Sequence, residues 1–125
     1  MKKYAPALLD VVLVIVFAAL GRASHDEGLT LAGLANTAWP FLGGLTVGWL
    51  ATAALYKEKF DPWLVVPTGV IAWVSTVIVG MLLRVVTGQG TAGSFIVVAS
   101  IVLGVFLLGW RLLAGLWLRR RVDAA

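Results

Sequence analysis

The sequence predicts an all-α, polytopic integral membrane protein: one domain over residues 1–125, folded as a compact bundle of four transmembrane helices at about 5–21, 35–55, 64–84 and 93–118. Three observations carry this. The chain of 125 residues is 61% hydrophobic, with a mean hydropathy of +0.99. Its four apolar runs approach or exceed the roughly 20 helical residues needed to cross a hydrocarbon layer of about 30 Å. The connections are too short to hold a soluble domain beside the helices.

The first helix follows Lys2-Lys3 and is interrupted by Asp10. A basic start, an apolar run and the small residues around Gly21-Arg22-Ala23-Ser24 have the layout of a signal peptide. A charge inside the apolar core and three further spans favour a retained helix instead. The connection to residue 36 carries Arg22, Ser24, His25, Asp26, Glu27 and Asn36. Asn36 or Thr37 is the expected N-cap of the second helix, with Pro40 in its first turn, where a missing N–H costs nothing. Trp39 beside it is expected at headgroup depth.

The second connection, Tyr56 to Trp63, mixes charge with aromatics, as a membrane interface favours. In the third, Gly88, Gly90 and Gly93 allow a sharp turn before the fourth helix, which runs out into Arg119-Arg120-Arg121. The two halves share a faint likeness in Gly21-Arg22 against Leu83-Arg84 and in Thr-Ala pairs, but Arg to Thr spans fifteen residues in one and seven in the other, which argues against a repeat.

Charge sets the orientation. Lys2, Lys3, Lys57, Lys59 and Arg119 to Arg121 fall on one side of the four spans, with only Arg22 and Arg84 bordering the other. Positive residues stay in the cytoplasm, so both termini are expected inside. The net charge of +4 and pI near 10.0 then reflect topology and contact with anionic headgroups, and no nucleic-acid partner is implied.

With no cysteine, thiol catalysis, disulfides and cysteine-based metal sites are excluded. His25 with two acidic neighbours is a weak metal motif, and one histidine with two methionines gives little for haem ligation, so no metal or cofactor is expected. No nucleophile–base pair, phosphate-binding glycine loop or paired carboxylates stand out, so no enzyme is expected. Of six tryptophans, Trp39, Trp63, Trp110 and Trp117 lie near predicted boundaries, while Trp49 and Trp73 read as packing residues rather than a cage for a cation.

Helices in lipid pack through small residues. Gly44, Gly48 and Thr52 recur every four residues on helix two, Ala72, Thr76 and Gly80 on helix three, and Ser100 with Gly104 on helix four. These stripes mark interior faces, and Gly44–Gly48 serves packing within the bundle or a dimer face. Extended by whole turns, the stripes reach Arg84 and Arg111, which should therefore point inward. Asp10 lies seven residues inward from Lys3 and Arg111 eight inward from Arg119. That places both about 10–12 Å inside the same margin. A charge in a span costs about 2.5–3.5 kcal/mol on insertion scales and faces a partner or water. An intramembrane ion pair between Asp10 and Arg111 is expected, with structural neutralisation, proton or ion coupling, and snorkelling of Arg111 as its readings.

At the other margin Arg22, His25, Thr37, Trp39, Arg84, Gln89, Thr91 and Ser94 are candidates to converge. Arginines with hydroxyls and helix N-termini suit an anion. The alternative is an interfacial belt in which each arginine meets only headgroups or Asp26 and Glu27.

Five segments, Gly21 to His25, Thr37 to Phe41, Gly80 to Arg84, Gly88 through Phe95, and Gly109 to Arg111, resemble a family of small prokaryotic membrane proteins described only as domain of unknown function three-zero-five-four. The resemblance covers nearly the whole chain. It implies four membrane helices, a prokaryotic inner or plasma membrane, and a shared pattern at Arg22, His25, Trp39, Pro40, Arg84 and Arg111, with no activity, substrate or cofactor attached. Two functions follow as expectations: binding or passage of a small, anionic solute, alone or as a homodimer, or a non-catalytic accessory subunit of a larger membrane complex.

Overall fold

The computed structural model describes residues 4–24 and 28–124. Four helices, α1 (Ala5–Ser24), α2 (Leu31–Tyr56), α3 (Val70–Val86) and α4 (Gly93–Ala124), alternate in direction, with short 3-10 and π turns at Lys57–Lys59 and Val65–Gly69 between α2 and α3. Each helix is long and apolar enough to cross a membrane, and the chain is a multi-pass membrane protein. The helices form a closed ring in which α1 meets α2 and α4, and α3 meets α2 and α4. The α2–α3 seam is the tightest and the α1–α4 seam the loosest.

Absent side chains explain the tight seam. A Cβ on Gly44 would stand 2.8 Å from the Ser75 carbonyl oxygen and one on Gly48 3.0 Å from the Ala72 Cα, so the two backbones lie in contact there. The Ser75 hydroxyl donates across the seam to the Gly44 carbonyl at 2.8 Å. Thr52 and Thr76, both buried, donate back to the carbonyls of Gly48 and Ala72, so their hydroxyls enter the interior satisfied. Gly80 leaves room for the Phe41 ring. On the next seam the Trp73 indole lies over Gly104 and donates to the Ser100 carbonyl at 2.8 Å.

Helix two departs from the sequence expectation. It begins at Leu31, capped by Thr30, whose Oγ1 accepts from the Gly33 N–H at 3.1 Å. Asn36 and Thr37 are therefore inside the helix rather than at its cap, and Pro40 is interior and buried. Residues 31–35 contain alanine and leucine, which extend a helix readily. A proline inside a membrane helix is tolerated where neighbouring helices cover the freed carbonyl. Helix three starts later than expected, at Val70, after the turn at Val65–Gly69. Helix four runs beyond its expected end, carrying Arg119 and Arg120 on continuous helix.

Candidate functional site

The two ends of the bundle carry different polar constellations. At the end holding both termini, Asp10 of α1 and Arg111 of α4 are fully buried and 2.7 Å apart. The contact is a two-pronged fork: Nη1 donates to Oδ1 at 2.9 Å and Nη2 to Oδ2 at 2.7 Å. Two indoles complete the carboxylate, Trp49 of α2 donating to Oδ2 at 2.9 Å and Trp110 of α4 to Oδ1 at 2.8 Å. Each oxygen thus accepts two charge-assisted bonds. Arg111 also donates from Nε to the Pro62 carbonyl and from Nη1 to the Leu107 carbonyl, while Gly69 makes room for its stem, where a Cβ would meet Arg111 Cδ at 3.0 Å. No buried side-chain nitrogen or oxygen among the described residues lacks a partner. This knot joins α1, α2, α4 and the connection before α3 through the chain's own groups.

The spacing of the sequence brings Asp10 and Arg111 to one depth, but nothing in it singles out the two tryptophans as their partners. Trp49 is more than a packing residue, and Trp110 more than a boundary one. A buried carboxylate needs about four donors, and an indole is the side chain that brings an N–H into an apolar layer at little cost. That requirement is the signal for both.

At the opposite end the last turns of α1 and α3 present Arg22 and Arg84, where a cation complements the helix dipole. Arg22 donates from Nε to the Gly28 carbonyl at 2.7 Å and from Nη1 to Thr37 Oγ1 at 3.0 Å. Arg84 donates from Nε to the Gly90 carbonyl at 2.9 Å and from Nη1 to Gln89 Oε1 at 3.0 Å, and its guanidinium lies 4.6 Å from the centre of the Phe95 ring. Both arginines thus grip a glycine carbonyl six residues ahead. In the third loop this follows from the helix end. Gly88, with φ of 76°, turns the chain so that the Gly88 N–H meets the Val85 carbonyl and the Gln89 N–H the Arg84 carbonyl, a glycine-terminated cap that folds residues 89–90 back over the guanidinium.

Between the two arginines lies a cavity of about 450 Å³, walled by Arg22, Thr37, Arg84 and Gln89 together with Asn36 and Gly90. Its floor is Phe17 and Phe95, which join Phe41 in a cluster with ring centres 5.1 to 6.5 Å apart. A second, apolar groove of about 500 Å³ adjoins it along the α1–α4 seam and shares Phe17, Gly21, Ala92 and Phe95 with it. Of the residues expected to converge, Arg22, Thr37, Arg84 and Gln89 share the cavity, whereas Ser94 lines the groove. Trp39, 41% exposed, and Thr91 line neither. His25, Asp26 and Glu27 lie outside the described residues, as do Lys2 and Lys3. No group of three metal-ligating side chains occurs among the described residues.

A family described as "Protein of unknown function (DUF3054)" matches residues 7–114. No curated protein and no solved structure matches the chain at significant similarity.

Proposed function

The chain belongs to this family of unknown function, and we propose that it is a binding protein whose Arg22–Arg84 cavity takes a small anionic solute. The observation that carries the reading is the placement of two guanidinia, ionised at any physiological pH, on one cavity of about 450 Å³ beside Thr37, Asn36 and Gln89. A forked, planar cation flanked by neutral donors suits an oxyanion. The positive-inside rule, applied to Lys57, Lys59, Arg119 and Arg120 at the other end, supports an orientation with this cavity on the outer face of the plasma membrane and both termini in the cytoplasm.

The role assigned is binding rather than passage through one copy. Below the cavity lie Phe17 and Phe41, then Val14, Leu45, Leu103 and Leu107, all buried, so a charge leaving the cavity inward would enter an apolar core. The role is also read as non-catalytic, since among the described residues the polar walls are arginine, amide and hydroxyl groups with no paired base.

Equilibrium dialysis of the detergent-solubilised protein against radiolabelled inorganic phosphate tests it. Arg84→Gln is expected to weaken binding at least about tenfold, the scale of one lost charge-assisted pair, and Lys57→Gln, at the opposite end, to leave it unchanged. No saturable phosphate binding by the wild-type protein, or equal affinity in Arg84→Gln, overturns the reading. A stoichiometric protein partner in its place would make the chain an accessory subunit.

A further inference from the structure

Among its contacts, Arg84 has one kind that ties it to its own loop and another that ties it to the bundle. Its Nε and Nη1 donate to the Gly90 carbonyl and to Gln89 Oε1, at 2.9 and 3.0 Å. Both acceptors belong to the loop that Gly88 turns back from the end of α3, where the Gln89 N–H bonds the Arg84 carbonyl. These bonds keep the side chain with its own loop. The other contact is with α4: Cζ lies over the Phe95 ring, 4.6 Å from its centre, within reach of a cation–π attraction. Phe95 is fixed in turn by rings from two further helices. It stacks with Phe17 of α1, 6.5 Å away at 28°, and meets Phe41 of α2 edge-on at 6.2 Å and 68°. Phe41 is fully buried and set in the notch left by Gly80, where a Cβ would stand 2.7 Å from its Cδ1. All four helices therefore meet at the Phe95 ring.

We propose that Phe95 is the positioning residue of the cavity: its ring face seats the Arg84 guanidinium on the wall, and the Phe17 and Phe41 rings hold Phe95 where that seat is needed. This rests on the anion-binding reading of the cavity and assigns what keeps the site in shape. The ring is one contact among several for Arg84, and what it contributes is location rather than charge pairing. Chemistry favours this division of labour. A phenyl face carries partial negative charge, which attracts a cation and repels an anion. An aromatic floor is therefore a poor lining for an anion cavity unless a cation covers it. Arg84 covers Phe95, so the same contact places the cation and screens the ring. A leucine at position 95 would fill the floor without doing either.

The test replaces Phe95 of the full chain, site-specifically, with mono-, di- and trifluorophenylalanine. Each fluorine draws electron density from the ring face while leaving its shape nearly unchanged, so the variants should fold. Affinity for inorganic phosphate in the dialysis assay is expected to fall step by step. With the trifluoro ring the loss should reach about two- to fivefold, the scale of one partly exposed cation–π contact. Phe95→Leu should lose a similar amount. In an Arg84→Gln background the same series is expected to leave phosphate affinity flat. The melting temperature in mild detergent should follow the same pattern with no phosphate present: a stepwise fall with Arg84 and none with Arg84→Gln, a double-mutant cycle between ring and cation.

Arg84-dependent phosphate binding that ignores the fluorines overturns the positioning role and leaves the anion reading standing, because the ring would then only fill space. Tighter binding with added fluorine overturns it too, since an electron-poor face attracts an anion and the ring would be touching the ligand itself. A fall of equal size in the Arg84→Gln background places the effect outside Arg84 and has the same consequence. If the wild-type protein binds no phosphate, the anion reading falls alone where the melting cycle still couples Phe95 to Arg84. Both fall where it does not.

Discussion

Three arginines lie on inward faces of this bundle, and its two ends use them in opposite ways. At the terminal end Arg111 has no exposed side-chain surface and is locked to Asp10 in a two-pronged pair. At the far end Arg22 and Arg84 hold carbonyl, hydroxyl and amide oxygens and remain on the wall of a cavity. The difference lies in what surrounds each guanidinium. Asp10 receives two donors on each oxygen and fills its coordination with the chain's own groups. The far end is built to hold its guanidinia in position beside open volume. One end is a clasp, and the other is the proposed receptor.

Breaking the clasp should give the largest effect. Asp10→Ala strands a buried guanidinium, and removing one member of a buried ion pair costs about 3–5 kcal/mol. Thermal unfolding in mild detergent should reveal a large loss of stability. The double variant Asp10→Leu with Arg111→Met removes both charges and should recover most of that loss, because two apolar side chains of similar bulk need no partners. A stable Asp10→Ala protein would show that the pair does not hold the helices together. A double variant as unstable as the single would show that shape, rather than charge, fixes this end.

The next effect separates the tryptophans from ordinary packing. Trp110→Phe keeps most of the ring and its edge contact with Trp63, whose ring centre lies 5.7 Å away, but deletes one hydrogen bond to a carboxylate. Such bonds contribute about 1.5–3 kcal/mol. Trp49→Phe should cost a comparable amount, with its contact to Phe60 kept. The two losses should combine non-additively, since both donors serve one carboxylate. Neither change should alter anion binding at the far end, and a variant that did so would couple the clasp to the receptor.

The clasp is largely legible in the sequence and the receptor only in part, for physical reasons. Asp10 and Arg111 declare themselves because a charge in an apolar run is costly, and counting residues from the basic margins places both at one depth. Their tryptophan partners are hidden, since which way an indole N–H points depends on rotamers and on neighbouring helices. The small-residue stripes locate the α2–α3 seam, because Gly44 and Gly48 act by lacking a side chain. Reading Pro40 as a first-turn residue places the start of α2 too late, since Thr30 with Gly33 supplies the cap. At the receptor, the unequal Arg-to-Thr distances obscure a parallel that the Arg-to-Gly distances contain: Arg22 to Gly28 and Arg84 to Gly90 are both six residues, and both are hydrogen-bonded. The lateral groove is not legible at all, because the width of a seam between α1 and α4 is a property of the assembled ring.

The smallest effects compare two glycines that each make room for an arginine. A Cβ on Gly69 would meet Arg111 Cδ and Leu108 Cδ2, both at 3.0 Å. Arg111 is pinned through Nε, Nη1 and Nη2 and cannot retreat, so Gly69→Ala should cost about 1–3 kcal/mol, as overpacking of a filled interior does. A Cβ on Gly33 would meet the tip of Arg22, Nη2 at 2.5 Å and Cζ at 2.8 Å, and the capping hydroxyl of Thr30 at 2.9 Å. There the obstacles are the ends of side chains beside a cavity, with fewer neighbours to resist a shift than in the filled interior around Arg111. Replacing a glycine within a helix also returns about 0.5–1 kcal/mol of backbone entropy. Gly33→Ala should therefore leave the melting temperature within a degree or two of wild type, by rough scaling of a near-zero net change, while weakening phosphate binding by displacing the guanidinium from Thr37. Equal destabilisation by both substitutions would mean that Arg22 is held as rigidly as Arg111, and the contrast between clasp and receptor would then be one of exposure alone.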